Sequence, residues 1–358
     1  MSSSTNPACL FNVEGQVAVV TGGGTGIGLM IAMSLEHNGA TVYIVGRRLD
    51  VLQKAARENN KYGRMIPLEG DITSRDSLLS MAQTVKSRHG YIDLLVNNAG
   101  ISRNLLPPHL PSPLDDTDFP REETIPSIKA FQDILWNTGG PVGFAETFET
   151  NVTAVYFTTI AFLELLHFGN LRRGALPPKF IAKSNNPLNG ESGSRRASTS
   201  NGTSTPYFSL PPSPSDKSLP LPMDASLAST VEGLLLPTSQ VITISSSGSF
   251  RVDARVLSIS YTLAKHACTH LGKLLANLLA DWNIRSNILC PGVWPSEMTN
   301  LEHLTPALLA RAVPLGRSGT LAEMAGPILF LAGRAGAYVN GAVWLVDGGR
   351  VGQVASSY

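Results

Sequence analysis

Gln16-Val17-Ala18-Val19-Val20 runs directly into Thr21-Gly22-Gly23-Gly24-Thr25-Gly26-Ile27-Gly28, and a periodic stretch over 29–37 follows before Gly39. Strand, glycine turn and helix, in that order, are what a dinucleotide site requires. The glycines let the backbone approach a pyrophosphate. The amides at the helix start, with the positive end of the helix dipole, then hold the charge. A glycine-rich loop alone says little, and its position between a strand and a helix gives it weight.

Outward from this turn, short apolar runs alternate with helical patterns. Strands are expected at 41–45, 64–68, 92–96, 240–244, 284–289 and 342–346. Alternation of this kind implies an α/β fold with one doubly wound parallel sheet of about seven strands flanked by helices. Ligands of such sheets bind outside the carboxyl ends of the strands, where Gly22, Arg47, Asp71 and Asn98 all fall. A site for NAD usually carries an acid about 20 residues past the glycines, for the ribose 2′-hydroxyl. That place holds Gly46-Arg47-Arg48 instead, and Asp50 stands too far into the next helix to reach. Two guanidiniums suit a 2′-phosphate, so the expected cofactor is NADP(H).

Ser260-Tyr261-Thr262-Leu263-Ala264-Lys265 opens a run over 257–282 with no proline and one glycine, a composition that favours helix. Residues four apart share a helix face, so Tyr261 and Lys265 point the same way. A phenol, with a reference pKa of about 10, is a poor acid near neutrality. A neighbouring ammonium favours the phenolate, and a tyrosine so tuned exchanges a proton at working pH. The pair alone is weak evidence; its company on a dinucleotide fold gives it meaning.

The chain has 358 residues, 43% hydrophobic and 15% charged, with a formal net charge of +1. Such a balance argues against nucleic acid or an anionic membrane surface as a main partner. Cys9, Cys268 and Cys290 are scattered, without metal-ligand spacing or the look of a disulfide framework. The first residues lack a signal-like apolar run, and no apolar stretch spans a bilayer. A cytoplasmic protein is expected, with a flexible segment at 1–12 and a catalytic domain over 13–350. The stretch 102–142 is proline-rich and irregular and is expected to shape the substrate pocket. A single long helix is expected at 144–168, with Asn151 a polar residue inside it. The stretch 170–237 is dominated by Ser, Pro, Asn and Gly, and is expected to be a mostly disordered insertion. It holds Arg195-Arg196-Ala197-Ser198, the pattern of a basophilic kinase site. Because it precedes a strand, it should enter at the end of the sheet away from the ligand crevice and leave the site intact.

Taken in order, Thr21-Gly22-x-x-x-Gly26-x-Gly28, Asn97-Asn98-Ala99-Gly100, Asn151, Ser246, Tyr261-x-x-x-Lys265 and Pro291-Gly292 resemble the short-chain dehydrogenase/reductase family, over about 13–168 and 238–350. The phrase from Pro291 to Thr299, with Arg317, Glu323 and Phe330-Leu331-Ala332, is similar to fungal reductases near the rhamnolipid-type 3-oxoacyl reductases. The resemblance implies a Rossmann-type catalytic domain and a role for each residue. Tyr261 gives the proton to the substrate oxygen. Lys265 tunes Tyr261 and bonds the nicotinamide ribose. Ser246 holds the substrate carbonyl, and Asn151 holds a water that relays protons. Thr21, Gly22, Gly26, Ile27 and Gly28 form the pyrophosphate turn. Asn98 and Asp71 contact the adenosine half, and Val293 and Ser296 the nicotinamide end. Family members normally space the serine closer to the tyrosine than Ser246 is. Ser247 therefore stays an alternative, and the loop through Arg251, Asp253 and Arg255 is expected to bulge. The family also implies a homodimer or homotetramer, through apolar outer faces of the helices around Asn151 and Tyr261.

The function this implies is NADPH-dependent reduction of a small or medium ketone to a secondary alcohol, in specialised metabolism. Oxidation of an alcohol on NAD(P) is the alternative within the fold, and a catalytically silent dinucleotide-binding scaffold the alternative outside enzymes.

Overall fold

The computed structural model describes residues 5–107, 110–112, 127–175, 237–253, 256–298 and 305–358. Strand β1 (Val17–Thr21) is buried along its whole length, as an unbroken apolar run must be when helices cover both faces of a parallel sheet. Its side chains alternate, Ala18 and Val20 entering one core cluster and Val17 and Val19 the other. With β2 (Thr41–Gly46), β3 (Met65–Glu69), β4 (Leu94–Asn97), β5 (Gln240–Ile244), β6 (Arg285–Pro291) and β7 (Val343–Val346), it forms one seven-stranded parallel sheet of order β3-β2-β1-β4-β5-β6-β7. This is the doubly wound sheet that the alternation implied. Strand order reverses between β1 and β4, so the crevice at the carboxyl ends opens there.

The helices are α1 (Pro7–Leu10), α2 (Gly26–Glu36), α3 (Leu49–Asn59), α4 (Arg75–His89), α5 (Ile128–Trp136), α6 (Pro141–Phe148), α7 (Ala154–Ala161), α8 (Leu163–Arg172), α9 (Ile259–Leu278), α10 (Pro306–Ala312) and α11 (Leu321–Ala332). Ile31 and Leu35 of α2 pack with Met324 and Ile328 of α11 on one face of the sheet. Leu78, Met81 and Val85 of α4 pack with Leu165 and Leu166 of α8 on the other. Within the segment expected to be flexible, α1 forms a single turn capped by Asn6 and lies against Gly333, where a Cβ would stand 2.4 Å from the Leu10 carbonyl oxygen.

The long helix expected at 144–168 is broken twice. A π-helical turn, Glu149–Thr153, separates α6 from α7, and α8 departs at 47° after Phe162. Phe162, fully buried, stands at the second break. No single helix among the described residues is long and apolar enough to cross a membrane.

The break in composition expected at 170 begins later. Asn170 is wholly buried at the end of α8. Its Oδ1 accepts from Ser239 N at 2.7 Å, and its Nδ2 donates to the carbonyls of Trp282 and Asn283 at 3.2 and 3.0 Å. Gly169 before it meets β4's approach so closely that a Cβ would fall 2.2 Å from the Ile92 carbonyl oxygen. A glycine and an asparagine that look like loop in sequence are here contact residues. Arg173 then donates to Pro237 O at 2.6 Å and pairs with the buried Asp93 at 2.9 Å. Residues 173 and 237 thus meet at the amino end of β5, across the sheet from the crevice. The expected disorder of the insertion, and Ser198, lie outside the described residues. Removing 184–226 is expected to leave activity within about twofold of the full chain, since insertions are tolerated when their ends are held together. Soluble, folded protein lacking that stretch and without activity would contradict the expectation.

Candidate functional site

The glycine turn makes one wall of a crevice of about 1020 Å³ at the carboxyl ends of the strands. Gly22 and Gly26 adopt left-handed backbone, with φ of +64° and +52°. Gly28 is helical but has no room: a Cβ there would stand 2.1 Å from Gly22 O. Thr25 caps α2 without a side-chain hydrogen bond, so the amides at this helix start stay open to the crevice. Bare glycine backbone beside an uncapped helix start fits a pyrophosphate.

Two residues expected to touch the cofactor also hold this turn in shape. Thr21 is buried; its Oγ1 accepts from the amides of Asn98 and Ala99 at 3.0 and 3.1 Å and lies 3.3 Å from Val96 O. Asn98 Nδ2 donates to Thr21 O at 2.9 Å and to Gly22 O at 3.3 Å. The Asn97-Asn98-Ala99-Gly100 motif therefore ties the end of β4 to the glycine turn, leaving Asn98 only its oxygens for an adenosine half.

Arg47, Arg48 and Asp71 line the far end of the crevice. Asp71 Oδ1 accepts from Thr73 N and Oγ1 at 2.9 and 2.7 Å. Burial alone would raise its carboxyl pKa, but these bonds and the charge of Arg47 outweigh it and hold the group below its ordinary value. Arg47 is exposed, while Arg48 pairs with Glu297.

At the near end, α9 presents Tyr261 and Lys265 to the crevice together, with Lys265 Nζ 5.9 Å from the centre of the tyrosine ring. Lys265 is buried, and its Nζ donates to Ile244 O at 2.8 Å. Tyr261's hydroxyl makes no hydrogen bond among the described residues, and its amide caps onto Ser258 Oγ. Asn151 sits in the π turn, fully buried. It grips Ile101 twice, accepting from its amide at 2.9 Å and donating to its carbonyl at 2.8 Å. The widened turn turns a polar side chain inward where a regular helix would carry on its apolar stripe. A Cβ at Gly100 would lie 2.9 Å from Asn151 Oδ1 and 3.4 Å from Lys265 Nζ, so the two groups flank one glycine.

Ser246 follows β5, and its Oγ accepts from Gly248 N at 3.0 Å. A Cβ at Gly248 would lie 3.2 Å from Ser246 Oγ and 4.0 Å from the Tyr261 ring, so the serine stands near the tyrosine. Ser247 is buried in a short 3₁₀ turn, Ser247–Phe250. That turn takes up part of the wide serine-to-tyrosine spacing. Beyond it Arg251 bridges to Ser356, and Phe250 packs edge-on against Tyr358 at 4.9 Å.

Ser296 lies on the glycine turn, 2.9 Å from where a Cβ at Gly26 would be. Val293 is not brought to the crevice. Its carbonyl accepts from Gly319 N at 3.0 Å, and it lines a separate cavity of about 180 Å³ with Trp294 and Arg317. Glu297, Glu146, Glu149 and Thr150 also line the crevice, and sequence reasoning gave none of them a role. For Glu297 the signal was at hand, in an acid within the quoted phrase after Pro291.

Comparison with known proteins matches the short chain dehydrogenase model over residues 16–119 and the enoyl-(acyl carrier protein) reductase model over 225–350. The chain is 38% identical to the short-chain dehydrogenase/reductase PhomF of Diaporthe leptostromiformis, across the full length of both. It is 26% identical to a rhamnolipids biosynthesis 3-oxoacyl-acyl-carrier-protein reductase of Pseudomonas aeruginosa, over 95% of this chain and 97% of that one. Among solved structures, the Pseudomonas aeruginosa RhlG/NADP active-site complex superposes with a TM-score of 0.64 at 24% identity, covering 96% of this chain and 99% of that one.

Proposed function

The chain belongs to the short-chain dehydrogenase/reductase family of oxidoreductases, and from that premise we propose that it reduces a ketone to a secondary alcohol with NADPH, Tyr261 giving the proton. The observation that carries the reading is the meeting of Tyr261, Lys265 and the glycine turn in one crevice. When bound there, the nicotinamide supplies the hydride. The backbone of Gly22 to Gly28 holds the pyrophosphate, and Arg47 and Arg48 hold a 2′-phosphate.

The protein's own part is to bind, orient and protonate. Tyr261 Oη and Ser246 Oγ hydrogen-bond the substrate carbonyl oxygen and stabilise the charge that grows on it. Tyr261 then passes its proton to that oxygen, leaving a phenolate beside the Lys265 ammonium. Lys265 is kept in place by Ile244 O and Asn151 by Ile101. Lys265, which keeps N–H donors beyond the one given to Ile244 O, would refill the proton through water, with Asn151 across Gly100 beside it. The reduction direction is supported by the names of relatives that are reductases, and the cofactor by the guanidinium pair and an NADP-bound structural neighbour. A cytoplasmic setting fits this chemistry.

The test is a panel of ketones and 3-oxoacyl thioesters, followed by consumption of NADPH and of NADH. We expect turnover of at least one member, with NADPH preferred by about tenfold or more, the scale of one well-placed charge-assisted contact. Equal use of NADH would remove the NADP reading; no turnover with either cofactor would leave the silent scaffold.

A further inference from the structure

The crevice carries a charge that its proposed occupant does not call for. Glu297 stands at the mouth, and its Oε2 lies 2.8 Å from Arg48 Nη2, both side chains being more than half exposed. It belongs to the segment that follows β6, where its neighbour Ser296 rests on the glycine turn. The segment therefore reaches across the crevice from the turn to Arg48. Arg47 differs. It forms no ion pair among the described residues, and its charge acts on Asp71.

We propose that Glu297 is a specificity-determining residue: it occupies Arg48 in place of a 2′-phosphate, and a dinucleotide bearing that phosphate takes Arg48 and frees the segment 292–298. The inference rests on the NADP(H) reading above. A guanidinium carries five N–H donors in one plane, and a phosphate engages two of them at once. A phosphate monoester carries nearly two charges at neutral pH, against one on a carboxylate. Seated on Arg48 it also repels the Glu297 carboxylate, so a phosphate on Arg48 and the Arg48–Glu297 pair compete. A ribose with a free 2′-hydroxyl makes no such demand. Its hydroxyl can donate to Glu297, the part an acid plays in NAD sites. Glu297 thus narrows the preference that Arg47 and Arg48 create, and links the phosphate to the position of the segment. Exposed ion pairs are individually weak, which limits the effect of removing this one to about fivefold.

The test uses two probes that need no catalysis, adenosine 2′,5′-bisphosphate and adenosine 5′-monophosphate, titrated calorimetrically into the full chain and into Glu297→Gln. The variant should bind the 2′,5′-bisphosphate about threefold to fivefold more tightly and the monophosphate no more tightly than the wild type does. In the wild type, the bisphosphate and not the monophosphate should speed hydrogen exchange over 293–298. A wild-type preference for the bisphosphate that Glu297→Gln leaves unaltered would overturn the role of Glu297 and leave the NADP reading standing. Exchange over 293–298 that the bisphosphate leaves unaltered would overturn the release of the segment. Equal binding of both probes in both proteins would overturn the NADP reading and this inference with it.

Discussion

Tyr261→Phe should lose about a thousandfold or more in turnover while binding NADPH nearly as well as the wild type. A positioned general acid contributes roughly 10²–10⁴ in rate, and in the proposed mechanism the same hydroxyl also helps hold the carbonyl oxygen. The substitution is clean. The ring stays, the backbone amide keeps its bond to Ser258 Oγ, and the lost hydroxyl makes no hydrogen bond among the described residues. No buried partner is left unsatisfied, so folding should not suffer. Initial rates with the best ketone of the panel and fluorescence titration with NADPH separate chemistry from binding. A variant that keeps more than a tenth of the activity would show that the proton comes from elsewhere. One that loses NADPH as well would make Tyr261 a binding residue first.

Gly28→Ala should destabilise the protein by about 1–3 kcal/mol and weaken NADPH binding by tenfold to a hundredfold, the range of overpacking a tight site. Inside a helix, exchanging glycine for alanine ordinarily stabilises by about 1 kcal/mol. The opposite sign is expected here because of what the new Cβ meets: Gly22 O at 2.1 Å, Asn98 Nδ2 at 2.5 Å and Gly22 C at 2.8 Å. Two of these are backbone, and the third is the amide that ties the turn to β4. The turn must open, and the pyrophosphate cradle opens with it. Thermal unfolding and NADPH titration read the two effects separately. An alanine variant that melts at or above the wild-type temperature with unchanged affinity would refute the argument.

The strands, the glycine turn and the Tyr261–Lys265 pair were legible because each is a local pattern. A buried parallel strand is an apolar run, a close turn is a run of glycines, and a shared helix face is a spacing of four. What was not legible depends on partners far along the chain. Arg48 and Glu297 are 249 residues apart, and nothing in either neighbourhood announces the other. Thr21 and Asn98 were given the cofactor, yet their polar groups largely hold one another's backbone. Val293 was placed in the site by its motif, and the fold turns its carbonyl to Gly319 instead. Asn170 was counted with the insertion because of the composition that follows it, whereas here it and Gly169 meet a close backbone.

The π turn at Glu149–Thr153 gives this stretch a residue that a regular helix would not need. A regular helix advances about 100° per residue, and the wide turn absorbs one surplus residue to set Asn151 inward. Dropping one residue from the turn would close it to a regular helix, with the flanking faces still in phase but Asn151 no longer held inward by the widened turn. Thr147 before the turn and Thr158 after it, both fully buried, would keep their places. A descendant of this gene could therefore shed the surplus residue and keep its helix, and what it would forfeit is the inward asparagine.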